Sequence, residues 1–311
     1  MIKRTLYFGN PAYLSKRDEQ LVVKLPEIVK NDTLPDSFKQ KSEVTIPIED
    51  IGVMVIDHQQ ITITHGLLES LLNNNTAVIT CDSSRMPAGL LLPLSGNTTQ
   101  RERWHDQIAA SVPLKKQLWQ QTIKAKIANQ TTLLQRRTNV NIKNMLYWSD
   151  EVKSGDSENH EARAAAYYWG NLFPTVPDFR RGREEAPPNH LLNYGYAILR
   201  AVVARALVSS GLLPTFGIHH RNRYNAYCLA DDVMEPYRPY VDNVVCSIVE
   251  SGYSYQELTK TWKEKLLQIP TFDVFIDGER SPLMVGVQHT TASLYKCFSG
   301  EGRKISYPTM D

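Results

Sequence analysis

A chain of 311 residues with 42% hydrophobic and 22% charged residues is long enough for about two globular domains, each with its own core. Its net charge of +2 carries no global sign of nucleic-acid binding, so any basic site has to be local. Cys81, Cys228, Cys246 and Cys297 stand singly, with no CxxC pairing and no framework spacing, which argues against structural zinc and a disulfide scaffold and fits a reducing compartment.

The opening segment, MIKRTLYFGNPAYL, has charges but lacks the continuous apolar region of a secretory signal. Short strands are then expected at 5–8, 20–24, 44–47, 53–56 and 61–64, which are rich in Val, Ile, Tyr and Thr and separated by turn residues. One helix interrupts them at 65–73, where HGLLESLLN gathers Leu67, Leu68, Leu71 and Leu72 on one side. Strands at 77–81 and 89–94 follow, and the turn-rich Ser95-Gly96-Asn97 marks a boundary.

From Arg101 the apolar period becomes helical: Trp104, Ile108, Val112; Leu118, Ile123, Ile127; Leu191, Tyr194, Ile198, Val202; Val241, Val244, Val245, Ile248. The prolines and charges of FPTVPDFRRGREEAPPNH, 173–190, break the helices with a basic loop. The run AILRAVVARALV is interrupted by Arg200 and Arg205 and reads as too short to cross a bilayer, so a soluble, cytoplasmic protein is expected. Asp277-Gly278 signals a hairpin, and a polar tail at 298–311 is expected to be mobile. The fold class expected is α+β: a small, mainly-β N-terminal domain at 1–96, then a larger all-α domain at 101–292.

The densest collection of reactive side chains is HHRNRYNAYCLADDVMEPYRP, 219–239. Asp231 and Asp232 stand four and three residues before Glu235, so either pair shares a helical face, where like charges repel unless a cation offsets them. The cation could be a divalent metal or the nearby Arg221, Arg223 and Arg238; a solvated acidic helix end balanced by arginines satisfies the same spacing. A second collection, Glu158, His160 and Glu161, precedes the helical run EARAAAYYW, where Glu161 shares a face with Ala165 and Tyr168. Glu158 and Glu161 also suit a helix N-terminus with no further chemistry.

Should a carboxylate of this run converge with His219 or His220 and with Asp232 or Glu235, the mixed oxygen and nitrogen donors suit Mg²⁺ or Mn²⁺ rather than zinc. Such an ion is the usual device of phosphoryl transfer. Between Gln107 and Ser149 there is no Asp or Glu, while Lys115, Lys116, Lys124, Lys126, Arg136, Arg137 and Lys143 are all present, an electrostatic footprint for a phosphate backbone. Arg180, Arg181 and Arg183 add the same sign, partly cancelled by Glu184 and Glu185. No Walker A loop, GxGxxG, GxSxG elbow or HExxH is found.

Three segments, His220 with LADDVMEPYRP at 229–239, NHEARAAAYYW at 159–169 and NHLLNYGYAILRAVVARAL at 189–207, resemble the CRISPR adaptation integrase, the universal CRISPR-associated protein numbered one. AVITCDSSRMP is similar to the members that accompany type II systems. The resemblance implies that Glu161, His220 and Glu235 are catalytic metal ligands for Mg²⁺ or Mn²⁺, with Asp232 in support and His219 and Asp231 as bystanders. Many relatives have aspartate where Glu235 stands. Asn189, Asn193 and Gly195 match a segment that packs near the site. The resemblance further implies a DNA endonuclease and integrase that inserts short captured double-stranded DNA into a CRISPR array, the incoming 3′-hydroxyl attacking a phosphodiester. It implies homodimers, formed through the N-terminal domain and bridged in pairs by the small second CRISPR-associated adaptation protein, with room for an effector nuclease complex and no membrane. A stand-alone metal-dependent nuclease acting on branched DNA in repair, or a non-catalytic nucleic-acid-binding scaffold, are the competing readings.

Overall fold

The structure is a computed structural model that describes residues 2–182 and 184–310. It divides into two compact units, Met1–Leu94 and Ser95–Asp311.

The first unit holds β1 (Arg4–Phe8), β2 (Ala12–Arg17), β3 (Gln20–Lys24), α1 (Pro26–Val29), α2 (Asp36–Lys41), β4 (Val44–Pro47), β5 (Ile51–Ile56), β6 (Ile61–Ile63), α3 (His65–Asn73), β7 (Ala77–Cys81) and β8 (Pro87–Leu91). The strands form two four-stranded sheets, in the orders β1-β5-β7-β8 and β4-β3-β2-β6. β5, IGVMVI, lies between two parallel neighbours, and its continuous apolar run reflects burial of both faces. β2 and β3 are joined by Asp18 and Glu19, both at positive φ, the backbone of a type I′ hairpin turn. Leu14, Leu21, Ile51, Met54, Leu67, Leu71 and Val78 fill the core. Two differences from the sequence reading concern short elements. β2 was not expected, because its outer residues Lys16 and Arg17 mask the alternation of Ala12 and Leu14. α1 and α2 join α3 as helices, each too short to show a helical period and each begun at a proline, Pro26 or Pro35.

The second unit is built from α4 (Gln100–Ala109), α5 (Val112–Arg137), α6 (Lys143–Glu151), α7 (His160–Leu172), α8 (Asn189–Ser209), α9 (Cys228–Met234), α10 (Arg238–Val249), α11 (Lys260–Leu266) and α12 (Leu283–Ser299). It is not all-α, since β9 (Asp273–Ile276) and β10 (Glu279–Pro282) form a hairpin turned by Asp277 and Gly278, both at positive φ. α5 is started by Ser111, whose hydroxyl accepts from the Leu114 amide at 3.3 Å, and it packs against α6, α7 and α10. α8 is longer than its apolar run suggests, 21 residues, and is long and apolar enough to cross a membrane by length and composition; most of that stretch is buried within this unit, which makes it a core helix. Gly195 lets α8 approach α10, because a methyl group there would meet Val241 Cγ1 at 2.5 Å.

The tail, expected to be mobile, is pinned instead. α12 runs to Ser299, and the backbone beyond it is held by buried Asn129 of α5, which donates to the Pro308 carbonyl at 2.9 Å and accepts from the Met310 amide at 3.0 Å. Ile305 and Met310 are buried, and Thr309 donates its amide to the Phe275 carbonyl of β9 at 2.8 Å. A polar composition concealed these widely spaced anchors.

Candidate metal centre

α7 is seated by a carboxylate four residues before its start. Asp156 accepts the amide of His160 at 2.9 Å through Oδ1 and that of Glu161 at 3.0 Å through Oδ2, so both oxygens cap free helix donors. The preceding Gly155, at φ 72°, turns the chain against the stem of Lys116 on α5. Glu161 is thereby fixed in the first turn, directed at α5. Its neighbour Glu158 is exposed and pairs with Lys153, while His160 is buried.

Glu235 stands where α9 gives way to a short 3₁₀ turn, Glu235–Tyr237. Pro236 has no amide hydrogen to continue α9, and its carbonyl accepts from Asn129 at 2.8 Å. Glu235 is almost fully buried. Burial opposes its charge, but Arg238 and then Lys126 outweigh it and hold the carboxyl at about 2. Arg238 Nε lies 2.9 Å from Oε1 and its guanidinium covers the Tyr196 ring.

The two carboxylates meet at one cation. Lys126 Nζ lies 2.7 Å from Glu161 Oε1 and 2.7 Å from Glu235 Oε2. Burial works against the ammonium, yet Glu235 and Glu161 together raise its pKa. Although ion-paired, Glu235 Oε2 has no aligned hydrogen-bond donor among the described residues.

His220 enters from the loop after α8. Asp232, fully buried, accepts the amide of His219 at 2.9 Å, the amide of His220 at 3.3 Å and the His220 ring Nδ1 at 2.5 Å. This places the proton on Nδ1 and leaves the Nε2 lone pair for another partner. The hydrogen bond to Asp232 is the main cause of a raised His220 pKa; burial opposes it, and the charges of Asp232, Glu235 and Glu161 add to it. Gly217 is required by this loop, since a methyl there would meet the His220 carbonyl at 2.5 Å and Asp232 Oδ2 at 2.7 Å. His219 stacks on Trp119 with ring centroids 4.1 Å apart. Asp231 is occupied by Arg200 and Asn225, each at 2.7 Å.

Among the described residues no three His, Cys, Asp or Glu side chains are gathered closely enough to hold an ion as they stand. The donor chemistry nevertheless fits a hard divalent cation. Two carboxylates from different helices already converge on one positive charge, one of their oxygens lacks an aligned donor, and the imidazole that Asp232 orients is near enough to feel the charge of both.

The basic residues separate. Lys126 is not on a DNA-facing surface, because it is buried in the carboxylate pair. Arg137 is bound to Asn243, Ser247 and Glu250, and Arg181 to the carbonyl of Gly182 and the side chains of Asn189 and Asn193, so both brace the fold. Lys116, Arg136, Lys143 and Arg180 are exposed, Lys115 and Lys124 are half-buried, and Lys124 donates to the Asp150 carbonyl. Arg183 lies outside the described residues. Arg221 and Arg223 are exposed beside His220, and Lys115 is close enough to Arg221 for its pKa to be lowered, after burial, by that charge. Arg238, one of the cations offered to offset these carboxylates, does pair with Glu235, whereas the roles of Lys126 and Asp156 escaped the sequence reading. For Lys126 a signal existed: it falls on the same face of α5 as Trp119, Ile123 and Gln130, all buried.

Paired buried carboxylates, an oriented imidazole and exposed lysines and arginines are the kinds of side chain used by enzymes that act on phosphodiesters. Comparison with known proteins gives the class a family. The family model described as "CRISPR associated protein Cas1" matches residues 6–268. The chain is 37% identical over 294 residues to the CRISPR-associated endonuclease Cas1 of Neisseria meningitidis serogroup C (strain 8013), covering 94% of this chain and 91% of that one. It therefore belongs to the Cas1 family. Among solved structures, a casposase bound to integration product superimposes with a TM-score of 0.77 at 22% identity, covering 98% of this chain and 92% of that one. A Cas6-RT-Cas1–Cas2 complex gives 0.72 at 19% identity over 97% of this chain and 35% of that one; at such identities the likeness speaks to the fold.

Proposed function

We propose that this protein is the metal-dependent DNA endonuclease and integrase of CRISPR adaptation, and that Glu161, His220 and Glu235 hold its divalent ion, Mg²⁺ or Mn²⁺. The observation that carries the site assignment is the convergence of Glu161 and Glu235, from separate helices, on a single cation. When bound, the ion supplies Lewis-acid stabilisation of charge on a phosphodiester and of the attacking oxygen. The chain's own residues do the positioning. Asp232 holds the proton on His220 Nδ1 so that Nε2 remains a donor of electrons. Arg238 fixes Glu235, and Asp156 fixes Glu161. Arg221, Arg223, Lys115 and Lys116 form the cationic rim that would receive the sugar-phosphate backbone.

In the reaction proposed, the 3′-hydroxyl of a short captured duplex attacks a phosphodiester at the array, one P–O bond forms as another breaks, and the displaced 3′-oxygen leaves with the proton. Hydrolytic nicking is the same reaction with water as nucleophile. The unit Met1–Leu94 serves homodimer formation and contact with Cas2, a partner supported by the structural neighbour described as a Cas6-RT-Cas1–Cas2 complex. An enzyme that edits a chromosomal array works where that DNA is, and the cytoplasm is the compartment this reading requires.

The test is integration of a short duplex into a supercoiled array plasmid by the protein and its Cas2, with Mg²⁺ or Mn²⁺. Wild type should join the duplex to the plasmid, while Glu161→Ala, His220→Ala and Glu235→Ala should not. Equal integration by any of the three variants rejects that residue as a ligand. Nicking of branched DNA without integration would favour the repair nuclease, and DNA binding with neither activity would favour the scaffold.

A further inference from the structure

Lys126 places its ammonium between the two carboxylates read as metal ligands. Its side chain is one-tenth exposed, it projects from the buried face of α5, and its ammonium is equidistant, at 2.7 Å, from Glu161 and Glu235. Glu235 is about as buried and the Glu161 side chain is 25% exposed, so without a counter-charge the two carboxylates would repel each other in a poorly solvated place. A lysine is suited to a temporary role there, because its point charge sits on a flexible four-carbon stem and makes no bidentate lock. We propose that Lys126 is a resident counter-cation, holding the carboxylate pair together in the metal-free protein and withdrawing when the divalent ion binds, so that it sets the site's affinity for metal. This rests on the reading of Glu161 and Glu235 as ligands. The exchange follows from electrostatics: an ammonium and a divalent ion cannot occupy the same two oxygens, and each displaces the other. Arg238 remains on the far oxygen of Glu235 and keeps that carboxylate in place during the exchange.

Lys126→Met and Lys126→Gln remove the charge while retaining most of the side-chain volume. Mn²⁺ affinity, from the paramagnetic resonance of free Mn²⁺, should tighten by about tenfold or more in both. Melting temperature without metal should fall below that of wild type, and Mn²⁺ should raise it by more than it raises wild type. Unchanged or weaker Mn²⁺ binding in a variant that retains wild-type circular dichroism overturns the proposal. A measurement on the unmodified protein guards against variants that fail to fold: acetylation of the Lys126 amine by a soluble acylating reagent, read by mass spectrometry, should accelerate several-fold on adding Mg²⁺, and an unchanged rate overturns the exchange. Glu161→Gln and Glu235→Gln separate the two ideas. If they leave Mn²⁺ binding intact, the ligand assignment fails and the proposal with it; if they abolish binding while the Lys126 variants do not tighten it, only the counter-cation role fails.

Discussion

Asp242 is a buried acid whose effect on stability can be worked out independently of any metal. It lies on α10, accepts from the Tyr168 hydroxyl at 2.7 Å and from the Tyr196 hydroxyl, and is almost wholly withdrawn from solvent. Burial raises its pKa from 3.8 to about 6, against the opposing hydrogen bonds of Tyr196 and Tyr168. The sign is the reverse of an ordinary paired carboxylate: the folded state holds the proton more tightly, so ionisation costs stability. That cost is absent below pH 3.8, grows between pH 3.8 and about 6, and is complete above. A rise of roughly 2 units corresponds to about 3 kcal/mol. Asp242→Asn keeps the shape and, with one tyrosine hydroxyl turned to accept, both hydrogen bonds. Urea unfolding followed by tryptophan fluorescence, metal-free, at pH 5, 6, 7 and 8, should show the variant gaining on wild type as pH rises, by about 1 kcal/mol between the ends, because roughly half of the cost is already present at pH 5. A constant difference across that range would refute the reasoning, since it is the lost titration of Asp242 that makes the difference vary with pH.

Glu235 gives the opposite profile: with its carboxyl held at about 2 against an ordinary 4.5, its stabilisation is present above pH 4.5 and is lost as pH falls toward 2, so Glu235→Gln should flatten acid unfolding in that window, as read by circular dichroism. Asn129→Ala, which removes the bonds to Pro236, Pro308 and Met310, should cost about 2–4 kcal/mol and expose residues 300–310 to limited proteolysis; an unchanged digestion pattern would show that the tail is held by other contacts. Neutralising Lys116, Arg221 and Arg223 together should reduce the slope of log binding constant against log salt for duplex DNA by about 2–3, whereas Arg137→Gln should leave it unchanged and lower the melting temperature.

The elements most readable in the sequence were those whose local chemistry is self-sufficient. Asp277-Gly278 forces its hairpin, and HGLLESLLN presents its leucines with a helical period that residues 65–73 follow. Family resemblance, rather than spacing, selected Glu161, His220 and Glu235 from a crowded set of acids and imidazoles. Spacing could not reveal that Asp231 is engaged by Arg200 while Asp232 organises the His219-His220 loop, because these partners are distant in sequence. The acid-free stretch of α5 was read as one electrostatic surface. A helix has several faces, and the same run supplies exposed Lys116, structural Arg137 and buried Lys126. Net charge along a sequence does not distinguish them; position relative to Trp119 and Ile123 does.

The amide of Asn129 has a practical bearing on how this protein is handled. One side chain grips both Pro236, next to Glu235, and the strand of backbone at 308–310. A label or a cleavage introduced within residues 300–310 would disturb that grip, and slack there would reach the turn that presents Glu235. A label carried elsewhere on the surface avoids coupling the reporter to the chemistry it is meant to report.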